Sequence, residues 1–61
     1  MMSIGDEIVV IDTSNQKELY GYVSRIFPGG RINVYIRKFG NHMEFVNGKT
    51  TKGRFKLKEA R

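Results

Sequence analysis

Sixty-one residues can make one domain, read here as spanning residues 1–61. A chain this short buries only about 60% of the surface its unfolded form exposes, so its core is thin. It has no Cys and one His, which excludes a disulfide framework and a Cys-based zinc site and leaves too few ligands for a His-based metal centre. No cofactor is expected. Eleven Lys and Arg against six Asp and Glu give a net charge of +5, a bias that favours a polyanionic partner. The same charge is also ordinary for the solubility of a small domain. Four of the six acids lie in the first 18 positions, and ten of the eleven basic residues follow Tyr20. No apolar run approaches the ~20 residues of a membrane span, and the N-terminal ten residues have no basic leader pattern. The composition therefore predicts a cytoplasmic protein with no membrane partner.

The apolar residues are mainly Ile, Val, Phe and Tyr, with two Leu and one Ala, which suits strands better than helices. Gly5-Asp6-Glu7 opens a turn, and Ile8–Ile11 is too short an apolar run for a buried helix, so it reads as a first strand. Asp12–Gln16 gathers turn formers and reads as a loop, with at most one helical turn around Asn15–Glu18. Leu19–Phe27 is a second strand in which Gly21 signals a bulge or a close backbone approach. Pro28-Gly29-Gly30 is the strongest turn signal in the chain. Arg31–Phe39 then alternates, with Ile32, Val34 and Ile36 on one face and Asn33, Tyr35 and Arg37 on the other.

Gly40-Asn41 turns the chain into a fourth strand, Met43–Val46. Asn47-Gly48 is the favoured pair for a two-residue type I′ hairpin, across which Lys49–Lys52 could pair back. Arg54–Lys58 alternates again with Phe55 and Leu57 inward. The pattern predicts an all-β domain of five antiparallel strands closed into a small barrel or sandwich. Its expected core is Ile8, Val10, Val23, Ile26, Ile32, Val34, Ile36, Phe45, Phe55 and Leu57.

Three segments carry a resemblance: Gly5–Ile11, Lys17–Ile26 and Ile32–Ile36. Together they resemble the KOW motif of ribosomal proteins and transcription elongation factors. That motif has a Gly-Asp-led strand, a loop, a basic residue, an obligatory glycine, a valine two positions later and a returning strand. Gly21 and Val23 match the glycine and the valine; Tyr20 stands where the family has a small residue, and Asp12–Gln16 lacks the family's basic loop residues. The resemblance implies a five-stranded SH3-like barrel and a nucleic-acid-binding role.

Two sets of residues are candidates for that role. Lys52, Arg54, Lys56 and Lys58 are spaced by two, so on a strand they would form one basic face; the alternative is a solvated edge. Tyr20, Tyr22 and Tyr35, interleaved with Arg25, Arg31, Arg37 and Lys38, suit bases stacking on rings while cations hold phosphates. The tyrosines read equally well as cross-strand packing pairs. Asp6, Glu7, Asp12 and Glu18 read as turn and cap residues, and His42 as a turn residue. None of these sets forms a catalytic constellation, so no enzyme is expected. The expected function is a nucleic-acid module, RNA or DNA, that binds mainly by charge with weak sequence preference. The alternative is a protein-interaction module, such as a small phage- or plasmid-type accessory protein attaching to a host protein.

Overall fold

The computed structural model describes residues 2–58. Those residues form five antiparallel strands and no helix: β1 (Glu7–Asp12), β2 (Lys17–Phe27), β3 (Arg31–Ile36), β4 (Asn41–Val46) and β5 (Phe55–Leu57). They make one sheet in the order β4-β3-β2-β1-β5, curled into a half-barrel consistent with a small SH3-like barrel. No helix among the described residues is long and apolar enough to cross a membrane.

The two ends of the curled sheet are joined by the segment after β4. Asn47 and Gly48 both have positive φ, 52° and 90°, as the expected type I′ turn requires. Val46 and Lys49 exchange backbone hydrogen bonds across that turn. Lys49 in turn bridges Lys56 of β5, while Leu57 N–H donates to the Gly48 carbonyl at 2.7 Å. The expected return of Lys49–Lys52 thus shrinks to Lys49, because residues 50–53 turn to let β5 reach β1.

The inward faces of all five strands supply the core. Val10, Leu19, Val23, Ile32, Val34, Ile36 and Phe45 are buried, with Ile8, Met43, Phe55 and Leu57 packed against them. Eight of these eleven positions meet one another through the register: Val10 faces Leu19 and Leu57, Val23 faces Val34, Ile32 faces Phe45, and Val34 faces Met43. Two expectations differ. Leu19, read only as the start of a strand, is buried because β2 begins two residues earlier, at Lys17. Ile26, read as core, is 44% exposed. It pairs with Ile32 and shares its face, but it sits at the end of the β2–β3 hairpin, beyond the cover of β1 and β5.

Gly21 is a site of close approach and not of a bulge. A Cβ on it would fall on the Tyr35 carbonyl of β3, so only glycine lets β2 and β3 cross there. The bulge lies at Ser24, where the β2–β3 register shifts between Val23 and Arg25. Ser24 Oγ donates to the Asn33 carbonyl at 3.2 Å, occupying the extra residue's side chain. The single turn lies at Asp12–Gln16 and not at Asn15–Glu18, because Lys17 already belongs to β2 and Asn15 N–H donates to the Asp12 carbonyl, at 3.2 Å. Gln16 takes φ 62°, and Gln16 N–H also donates to the Asp12 carbonyl, which brings Lys17 straight into β2.

Candidate functional site

On a strand, alternate side chains leave the core, and the cross-strand register decides which of them become neighbours. One outward row runs Glu7, Tyr22, Tyr35, His42 across β1 to β4. The Tyr22 and Tyr35 ring centres are 5.3 Å apart, tilted by 32°. The His42 ring meets Tyr35 edge-on at 5.1 Å. Arg37 lies 5.9 Å above the Tyr22 ring and donates to both carboxylate oxygens of Glu7, at 3.1 and 3.0 Å. Tyr20 stands two residues along β2 on the same face, 55% exposed, and its hydroxyl donates to Glu18 Oε1. That acidic neighbour holds the Tyr20 hydroxyl above its ordinary pKa.

Toward the β2–β3 turn the outward rows are Arg25, Asn33, Glu44 and then Phe27, Arg31, Val46. Arg31 covers the Phe27 ring at 4.8 Å and reaches Glu44 at 3.5 Å. Arg25 is exposed on β2, and Lys38 is exposed in the β3–β4 turn. Neither makes an ion pair among the described residues. The hairpin set therefore gathers on the outer face of β2 and β3, with Tyr20, Tyr22, Tyr35, Arg25 and Arg31 on the strands and Arg37 and Lys38 in the adjoining turn.

The second set does not form the expected row. β5 is only three residues long, and Lys52 lies in the turn that precedes it. Arg54 crosses the Phe55 ring, 4.9 Å from its centre, to Asp12. Its Nε and Nη2 donate to Asp12 Oδ1 and Oδ2 at 3.1 and 3.0 Å. Asp12 is 5% exposed and also accepts from Ser14 N–H and Ser14 Oγ–H. The hydrogen bonds from Arg54 and Ser14 lower its pKa to about 2. Lys58 Nζ donates to Glu18 Oε2 at 2.7 Å, and the same contact holds the Glu18 carboxyl below its usual range. Only Lys56 points outward from β5 without an ion pair among the described residues.

The early acids are thus more than turn formers. Glu7, Asp12 and Glu18 each bind a cation 30 to 42 residues further along the chain. The sequence carries no local signal for such pairs, because they depend on which strands become neighbours. His42 was legible in principle: His42, Glu44 and Val46 alternate with Met43 and Phe45, so an outward His42 follows once β4 is started at Asn41.

A shallow groove of about 870 Å³ runs beside β5, between Ile8 and Ile11 of β1 and Lys49 and Lys56. Of the carboxylates lining it, Glu7 is held by Arg37, and Asp6 accepts from Ser3 N–H at 2.8 Å. Among the described residues no three His, Cys, Asp or Glu side chains are grouped to hold a metal ion. Comparison with protein-family models, with curated proteins and with solved structures returned no match.

Proposed function

We propose that this domain is a nucleic-acid-binding module that works without catalysis, using the outer face of the β2–β3 hairpin. The observation that carries the reading is the contiguity of Tyr20, Tyr22 and Tyr35 with Arg25 and Arg31 on one face, with Arg37 and Lys38 beside it. Tyr20 is exposed and Tyr22 and Tyr35 are half-buried, so the open parts of their rings offer stacking surfaces for bases while the surrounding cations supply charge for phosphates. Arg31 and Arg37 are paired with Glu44 and Glu7, but those pairs are solvent-exposed and weak enough for a phosphate to compete. The KOW-like spacing around Gly21 agrees with the same role. Binding of this kind discriminates little between sequences, since every base has a stacking face and every nucleotide a phosphate.

The test is a titration of fluorescently labelled single-stranded RNA and DNA into the protein at low and at near-physiological salt. Binding at low salt that weakens steeply as salt rises supports the reading. No binding at low salt, or binding that ignores salt, overturns it.

A second reading, a protein-interaction module, is favoured by the edge of β4. Apart from Val46, that strand is paired on one side only. Partners that survive nuclease treatment in a lysate pull-down would favour it.

A further inference from the structure

The free edge of β4 has a defined hydrogen-bonding phase. Val46 spends its backbone N–H and C=O on Lys49, so both point away from β3. Backbone groups alternate along an antiparallel strand, so those of His42 and Glu44 point the same way. The opposite phase, Asn41, Met43 and Phe45, faces β3. His42 and Glu44 thus present two N–H donors and two C=O acceptors at a sheet edge, with exposed side chains above them. Such an edge is a template for another strand.

A second copy of β4 fits this template in one antiparallel register. Two-fold pairing must set outward-pointing residues against outward-pointing residues. Centring the pair on Met43 puts His42 opposite Glu44 twice over, an imidazole N–H donor against a carboxylate acceptor in each case. Sliding by two residues one way puts His42 against His42. Sliding the other way puts Glu44 against Glu44 and calls on Val46, whose groups Lys49 already occupies. On the inner face, the chosen register sets the flexible, half-buried Met43 against its own copy. The turn at Lys49 limits the pairing to residues 41–45.

We propose that β4 is a homodimer interface, in which two copies of this chain pair antiparallel at Met43 and extend the two sheets into one. The contact is small, so a reversible dimer is expected, filling at about 0.1–1 mM protein as suits an interface below about 1,200 Å².

The test is sedimentation equilibrium of nucleic-acid-free protein from about 10 μM to about 1 mM, a range chosen to span weak association. In parallel, amide exchange is followed by NMR at both ends of the range. The dimer should form, and the His42 and Glu44 amides should exchange more slowly as concentration rises. Glu44→Lys, with folding checked by circular dichroism, should loosen the dimer about tenfold by facing His42 with a cation. The double variant His42→Glu with Glu44→Lys sets a carboxylate opposite an ammonium at both pairs and should restore it. A chain that stays monomeric overturns the proposal. So does a dimer whose His42 and Glu44 amides exchange at unchanged rates, or a double variant no tighter than Glu44→Lys. The amide measurement uses the unaltered protein, so the proposal stays decidable even if a variant fails to fold.

Discussion

Counterion release allows the proposed interface to be counted. A protein that neutralises Z phosphates of a single strand loses affinity with a slope of about −0.7Z in log K against log salt. Four cations flank the tyrosines of the β2–β3 face: Arg25, Arg31, Arg37 and Lys38. If each meets a phosphate, the slope is about −2.8, and a fourfold rise in salt weakens binding about 50-fold. Arg25 and Lys38 have no carboxylate partner among the described residues, so removing them leaves the internal ion pairs intact. Arg25→Ala with Lys38→Ala should therefore halve the slope to about −1.4 and reduce the fourfold-salt penalty to about sevenfold. Lys52→Ala, in the turn before β5, should leave the slope unchanged. Fluorescence anisotropy with a labelled oligonucleotide of about 15 nucleotides, at four or five salt concentrations, reads all three slopes. A slope that the double variant does not change, or that Lys52→Ala lowers instead, refutes this placement of the interface.

The remaining predictions concern the aromatic row, the core and acid pH. Tyr22→Ala should weaken nucleic-acid binding roughly 5- to 150-fold at constant salt slope, the value of one base stack of ~1–3 kcal/mol, measured in the same anisotropy assay. Gly21→Ala forces the backbone of β2 off the Tyr35 carbonyl and should cost about 3 kcal/mol or more in urea melts. A domain of this size is stable by only about 3–9 kcal/mol. Gly29→Ala, whose Cβ would meet nothing within 4 Å and whose φ is 82°, should cost only about 1 kcal/mol. Leu19→Ala should cost about 2–5 kcal/mol and Ile26→Ala under about 1 kcal/mol, because only the first leaves a buried cavity. Asp12 is held at about 2 when folded against 3.8 unfolded, so its contribution is complete above pH 3.8 and lost as pH falls through 2. The Tm should therefore drop steeply between pH 4 and pH 2, and Asp12→Asn should flatten that drop.

The fold was legible because its signals are local. Alternation in Arg31–Ile36, the Pro28–Gly30 turn and the Asn47-Gly48 pair each need only neighbouring residues. Gly21 was flagged by its chemistry, but choosing between a bulge and a close approach needs β3 beside it. Ile26 and Leu19 exchanged places for a similar reason. Alternation assigns a face, whereas burial also needs something lying over that face, and β1 covers Leu19 but ends short of Ile26. In the candidate site, the Tyr22–Tyr35 pair follows once the hairpin is registered. The last basic stretch was overcounted, because spacing by two guarantees a shared face only while the strand lasts, and β5 lasts three residues.

The ion pairs set which cations are already engaged within the fold. Arg54–Asp12 and Lys58–Glu18 tie the short β5 to β1 and β2, and Arg37–Glu7 ties the end of β3 to β1. Each closes a long stretch of chain in a domain whose core is only a handful of residues, so these cations have structural work independent of any ligand. Phosphates recruited to Arg54 would have to displace a carboxylate that is nearly inaccessible and already shared with Ser14. Phosphates at Arg25 or Lys38 displace only water and counterions. The net charge of +5 therefore overstates the charge free for binding on the last strand. On the proposed face, Arg25 and Lys38 are the cations that no carboxylate holds among the described residues.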